Sequence, residues 1–418
     1  MTRLLRRAPR SASSSERIRL GLLLGVVVGA ASVLFPVIFT LAPLIRADLS
    51  LSRFQVGSLA TAFFGIGALV SLLVGRAVDR LGSRRILSGT LFVTAAALTG
   101  IALSTSYAML LAFTVLAGLA LSASNPVTNA VIVNAVRPGE RGTVMGLKHA
   151  GVPTTGALMS LTLPAAAVAF GWRGVVLATA AMVLALAPMV ARAGTDARER
   201  AASLAGDRVP LRMLWIGVYA LLMGAAGGAT TLYLPLYGHE ALGLSIAAAG
   251  VAAAVAQVTA VASRVVWTRT SERASRVGRP LAAVSLCALA ALVPLVAAQP
   301  VGPPLFWLAA IAIGAGMLGW TPIAMLAAIR LVEPAQAGQA SGVVVAGFYT
   351  GLMLGPALFG RIVDASGGYA SAWLATGGGF VAAAVLAFGC GGVRGGQVAE
   401  APWAADDPLP VGSRASDR

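Results

Sequence analysis

The chain has 418 residues, of which 58% are hydrophobic and only 11% charged, and its mean hydropathy is +0.85. That makeup excludes a water-soluble domain and points to a polytopic membrane protein, since each crossing needs ~20 mostly apolar residues. A formal net charge of +16 would suggest nucleic acid in a soluble protein, but here the arginines are sorted into polar segments between apolar runs, so no nucleic-acid partner is expected.

Twelve spans are predicted in chain order. The first half gives 18–41, 54–74, 86–105, 107–134, 143–168 and 172–191, preceded by a tail at 1–17. A polar linker at 192–211 leads to 212–236, 245–266, 280–298, 304–329, 338–361 and 370–390, with a tail at 391–418. The basic start followed by an apolar run imitates a signal peptide, but the run is too long, and it reads as a retained first span. Pro36 and Pro235 are expected to bend spans one and seven.

All but four of the 31 basic residues fall on one side, in the tails, the linker and alternate connections, with Lys148 early in span five and Arg264 grouped in the 8/9 connection. Only Arg46, Arg53, Arg173 and Arg361 lie on the other side. The positive-inside rule therefore places both termini in the cytoplasm of a cell whose cytoplasmic membrane holds the protein.

The chain repeats itself. Residues 118–151, "GLALSASNPVTNAVIVNAVRPGERGTVMGLKHAG", lie without a gap on 314–347, "GAGMLGWTPIAMLAAIRLVEPAQAGQASGVVVAG". Gly118 meets Gly314, Pro126 meets Pro322, and Gly151 meets Gly347, which predicts the same kinks and close helix contacts in both halves. "GRAVDRLGSRR" at 75–85, after span two, has a counterpart in "TRTSERASRVGR" at 268–279, after span eight. There Asp79 corresponds to Glu272 and Arg80 to Arg273.

With these features the chain resembles the major facilitator superfamily of secondary transporters. The family signature after the second helix is matched by Gly75, Asp79, Arg80, Gly82, Arg84 and Arg85, with Ser83 where a basic residue is usual. "GPALFGRIVDASGGYASAW" at 355–373 is similar to the family's eleventh-to-twelfth helix region. The resemblance implies an all-α membrane protein of twelve helices in two pseudo-symmetric six-helix bundles, working by alternating access. It also implies that Asp79 latches against the eleventh helix as the halves rock. Gly75 allows close approach there, and the arginines hold anionic lipid heads. Arg84 and Arg85 have the plainer reading of topology markers alone.

No Asp or Glu falls at the middle of a predicted span, whereas proton-driven drug exporters ordinarily keep a carboxylate there. Two exporter-type signatures are also broken: Thr114 stands four residues before Gly118 where an arginine is expected, and residues 151–156 read "GVPTTG". The positive signal is "GLKHAG" at 146–151, with the chain's only lysine, Lys148, beside His149. Six residues past Gly142, Lys148 is about 9 Å along a helix, deep enough to meet an anionic substrate, while His149 could take up a proton. The alternative is that Lys148 snorkels to the surface and His149 packs.

Further cavity candidates are Asn125, Thr128, Asn129, Thr231, Tyr233, Gln257, Trp320, Thr321 and Tyr349. Each has a packing alternative, because polar groups also join helices and aromatics also fill cores.

The expected function is secondary transport of a small organic anion, with a coupling proton or counter-anion. Efflux of hydrophobic or drug-like compounds is the alternative. A phosphate-binding glycine loop is absent, the two histidines have no companion cysteine or carboxylate cluster, and no cofactor or metal is expected. A polytopic enzyme would have to use His239 and Glu240, the only adjacent histidine and acid, and is not expected. A monomer in contact with membrane lipids completes the reading.

Overall fold

In the computed structural model, residues 14–136, 140–189, 213–332 and 337–390 are described, and the side chains of 71–81, 126, 130, 133, 134, 141, 142, 272, 337 and 338 are outside that description. The predicted linker and most of both tails also lie outside it. The first half holds α1 (Ser14–Ala31), α2 (Leu34–Leu49), α3 (Arg53–Leu81), α4 (Ser83–Ala102), α5 (Tyr107–Ala135), α6 (Arg141–Phe170) and α7 (Trp172–Ala185). The second holds α8 (Leu214–Glu240), α9 (Ile246–Glu272), α10 (Gly278–Val301), α11 (Pro303–Ala315), α12 (Trp320–Arg330), α13 (Ala337–Ser366) and α14 (Ala370–Cys390).

Every regular element among the described residues is helical, as hydrocarbon demands of a chain that cannot leave its amides unpaired. Eleven spans are long and apolar enough to cross a membrane, and α1 with α2, bent by 41°, make a twelfth. Large apolar side chains such as Leu69, Val168, Phe170 and Leu374 are exposed on the outside of the bundle, which suits lipid as the surrounding solvent.

The break in the first span falls at Ser32 and Val33, before Pro36. A proline lacks its own N–H and crowds the carbonyl four residues back, here that of Ser32, so the prediction for Pro36 is met one turn upstream. α8, by contrast, runs through Pro235 as one helix.

The tenth span also breaks, through a short 3-10 turn at Met317–Gly319 between α11 and α12. Its repeat partner α5 stays continuous across Pro126, so the expectation of equal kinks in both halves is corrected. The reason is local: Gly316 and Gly319 occupy positions that are Ala120 and Ala123 in α5. Each glycine weakens a helix by roughly 1 kcal/mol relative to alanine, and Pro322 removes a further hydrogen bond from the same turn.

The repeat does hold in the close contacts. Gly151 of α6 lies against the carbonyl of Gly25 in α1, and Gly347 of α13 lies against the carbonyl of Gly217 in α8. In both places a Cβ would collide with backbone, so only glycine permits that approach. The halves meet where α3 packs on α13, α6 on α9 and α2 on α8.

Candidate functional site

At one end of the bundle the halves are tied by charge. Glu240, at the end of α8, accepts from Arg46 Nη1 at 2.5 Å, from Arg53 Nε at 2.9 Å and from the Tyr369 hydroxyl at 2.7 Å. Asp364 of α13 accepts the backbone N–H of Arg53 at 3.2 Å and of Phe54 at 2.8 Å, so it caps α3 from the opposite half. Burial and the neighbouring Glu240 carboxylate hold the Tyr369 phenol above its usual pKa range, which keeps it a donor. The predicted cavity residue Tyr233 is here instead, wholly buried, its hydroxyl donating to the Arg53 carbonyl at 2.5 Å. Just beneath, the Thr61 hydroxyl donates to the Met353 carbonyl across the same α3–α13 seam.

Deeper in, the first half presents polar groups from two neighbouring helices. Lys148 of α6 is fully buried, not at the surface, and its Nζ donates to Asn129 Oδ1 of α5 at 2.6 Å. Among the described residues it forms no ion pair. One helical turn away on α5, Asn125 Nδ2 donates to the Tyr349 hydroxyl of α13 at 3.4 Å, crossing between halves. Asn125 Oδ1 is buried and finds no partner among the described residues. An aromatic chain passes the same point: Phe35, Phe64, Tyr349, Phe348 and Trp320 follow one another at ring separations of 5.1 to 5.9 Å.

The other candidates divide. Thr231 and Gln257 line one narrow cleft with Phe39 and Leu318, and Gln257 also lies against Gly156 of the opposite half. Thr128 is buried and spends its hydroxyl on the Ser124 carbonyl of its own helix at 2.6 Å. Trp320 is buried against Tyr219 and Phe348, a packing role, with Thr321 half-buried beside it. His149 is exposed, next to Lys148 in α6.

Of the switch motif, Gly82 makes the turn between α3 and α4 at φ +78°, where a side chain would be strained. Arg84, Arg85 and Arg273 are exposed. The contacts of Gly75 and the side chains of Asp79, Arg80 and Glu272 are outside the described part of the structure, and with them the latch expected of Asp79. His239 and Glu240 form no catalytic pair: His239 Nδ1 is bonded to the Leu244 carbonyl, and Glu240 is held by the arginines. No group of three or more metal-ligating side chains occurs among the described residues.

Sequence reasoning missed the sealed end and Arg264. Arg46 and Arg53 were visible as rare basic residues on the sparse side, near Glu240 and Asp364 at span ends, and that complementarity was the available signal. Arg264 had been grouped with a loop, but it lies inside α9, about two turns before the helix ends.

The family model for the Major Facilitator Superfamily matches residues 21–344. A curated relative, the hexuronate transporter of Bacillus subtilis (strain 168), is 30% identical over 132 residues. That match takes in 32% of this chain and 31% of the relative, so the chain spans about a third of the relative's length.

Among solved structures, a bacterial homolog of the human lysosomal transporter Spinster, inward-facing and occupied, matches with a TM-score of 0.75 at 19% identity, over 91% of this chain and 97% of that one. The peptide transporter POT in complex with sulfate gives 0.75 at 13%, over 93% and 98%. The nucleoside transporter NupG gives 0.69 at 15%, over 89% and 98%. At these identities the likeness is one of fold.

Proposed function

The chain belongs to the Major Facilitator Superfamily and is a multi-pass membrane transporter, and on that premise we propose that it carries a small organic anion by alternating access around the Lys148 site. The observation that carries this reading is Lys148 itself: a fully buried ammonium whose hydrogen bond goes to an amide and not to a carboxylate. A cation withdrawn from water is strongly disfavoured unless an opposite charge joins it. The described acids stand at helix ends, such as Asp48, Glu140, Glu240 and Asp364, so a substrate anion is the natural partner. The free Oδ1 of Asn125, one turn from Asn129, would accept a hydroxyl of a ligand whose carboxylate lies at Lys148, ~6 Å away. The short match to a hexuronate transporter agrees with an acid bearing hydroxyl groups.

In this proposal the protein sits in the cytoplasmic membrane with both termini inside, so the Glu240 end faces outward and is closed. His149, beside Lys148, takes the coupling proton. Asp79 serves as the latch at the cytoplasmic end, and Asp79→Asn slows transport in proteoliposomes while leaving insertion intact. The aromatic chain from Phe35 to Trp320 favours a second reading, efflux of lipophilic compounds.

One experiment separates the two readings: thermal stability of the purified protein against carboxylates, neutral sugars and lipophilic cations, with Lys148→Gln in parallel. A ligand that binds only the folded state raises stability by RT ln(1 + [L]/Kd). The anion reading expects stabilisation by carboxylates that is lost in Lys148→Gln. Stabilisation by lipophilic cations that survives the substitution replaces it with efflux.

A further inference from the structure

The break in the tenth span leaves carbonyls without their helical partners, and α9 supplies three side chains to them. Ser263 Oγ donates to the Gly314 carbonyl at 2.8 Å, Trp267 Nε1 to Ala315 at 2.8 Å, and Arg264 Nε to Leu318 at 3.3 Å. Leu318 is the residue four before Pro322, so its carbonyl is the one the proline deprives. Trp267 spends its one donor on this task, and the Ser263 hydroxyl is shared with the Ala260 carbonyl of its own helix at 3.1 Å. Arg264 is not: its Nε is engaged, while Nη1 and Nη2 make no hydrogen bond or ion pair among the described residues.

Where that fork stands follows from the register of α6 against α9. Gly250 of α9 touches Ser160 and Pro164, and Gln257 touches Gly156, so the helices run antiparallel, seven residues of α9 answering four to eight of α6. A further seven residues along α9 brings Arg264 level with residues 148–152 of α6, the turn that carries Lys148 and His149. The two cations therefore stand at the same depth on opposite halves, each about two helical turns from the end of its helix. Leu318, which receives Arg264 Nε, also lines the cleft with Thr231 and Gln257.

We propose that Arg264 is the anion-binding residue of the second half, so that one substrate carboxylate is held between the Lys148 ammonium and the free guanidinium fork of Arg264. The inference rests on the anion reading of Lys148 and extends it to specificity. A planar fork suits a carboxylate bidentately, and lysine on the other side adds a point charge. A ligand bridging both halves is also what makes binding sense their relative position, because it gains the second contact only when α6 and α9 are close.

The test uses the full-length protein in detergent, with glucuronate as the anionic probe and glucose as its neutral counterpart, binding being read by calorimetry. In Arg264→Gln the Kd for glucuronate is expected to rise by at least about 30-fold, as for the loss of one partner of a buried charge pair. Arg264→Lys should recover part of that loss, because it restores charge without the fork. Since Arg264 also serves the Leu318 carbonyl, the same comparison is made in Pro322→Ala, where the restored N–H at position 322 gives that carbonyl a partner in its own helix. Loss of glucuronate affinity in Pro322→Ala/Arg264→Gln relative to Pro322→Ala supports the proposal. An unchanged Kd there, with a lowered melting temperature in Arg264→Gln alone, reduces Arg264 to a structural support and overturns it. If Lys148→Gln also leaves glucuronate binding intact, it is the anion reading that fails; if Lys148→Gln abolishes binding and Arg264→Gln does not, only the present inference fails.

Discussion

Glu240 at one end of the molecule is partly buried and Lys148 in its interior wholly so, and the protein surrounds them in opposite ways. Glu240 meets two guanidinium groups and a phenol, drawn from both halves of the chain. Lys148 meets one neutral amide. Where the halves have to close on each other, charge is matched within the protein. On the proposed reading, where something has to enter, cationic charge is left for the ligand to match. On that reading the two regions have separate work, the first setting which way the transporter faces and the second deciding what it carries. Substitutions can break that division of labour.

The largest effect is expected at the unmatched charge. Lys148→Gln keeps a donor but removes the cation, and loss of one member of a buried charge pair raises the Kd for a carboxylate by about 100-fold or more. Counterflow in proteoliposomes should fall accordingly, while the amount of inserted protein is unchanged. Retained carboxylate exchange would show that the lysine only ties α6 to α5.

At the matched end the effect is on conformation. Glu240→Gln leaves Arg46 and Arg53 without their shared anion, and for a pair still partly exposed the sealed state loses about 2 kcal/mol, roughly a 30-fold shift in population. A cysteine replacing Thr61, beneath the seal, would report the change by faster labelling from that side once Cys287 and Cys390 are replaced by serine. Substrate affinity of the binding-competent state should be unaffected, which is the distinction from Lys148→Gln. Asp364→Asn is milder. It keeps an oxygen for the α3 amides but loses the charge that favours a helix N-terminus, about 1 kcal/mol and roughly fivefold in the same labelling rate.

The sequence exposed these two regions unequally. The spans, their number and the repeated glycines were legible because hydrophobic length and backbone clearance are properties of a few neighbouring residues. Lys148 stood out because a single lysine in an apolar run has no neighbour to explain it. The sealed end was hidden because Arg53, Glu240 and Asp364 are scattered over the chain, and pairing at that distance is set only by the fold. Arg264 was hidden by its surroundings: the predicted span 245–266 contains it, but the run of basic residues that follows groups its charge with the loop. The unequal breaks in α5 and the tenth span were readable from Gly316 and Gly319, had the glycines been weighed along with the shared proline.

The smallest substitution sharpens the comparison most, because it tests whether the interior reads more than charge. Tyr349→Phe removes the hydroxyl that receives Asn125 Nδ2 and leaves the ring packing on Phe64 and Phe348 in place. At 3.4 Å that hydrogen bond is long, so its loss is worth about 0.5–1 kcal/mol, a two- to fivefold change. The consequence depends on the ligand. With Tyr349 gone, the Asn125 amide is free to turn, and its Oδ1 is no longer held ready for a hydroxyl. Glucuronate should bind two- to fivefold more weakly, while acetate, which offers the carboxylate and no hydroxyl, should bind Tyr349→Phe and the parent protein equally. Equal losses for both ligands would mean that Asn125 and Tyr349 hold the halves together rather than reading the substrate, and would move that pair to the closing side of the comparison, beside Glu240.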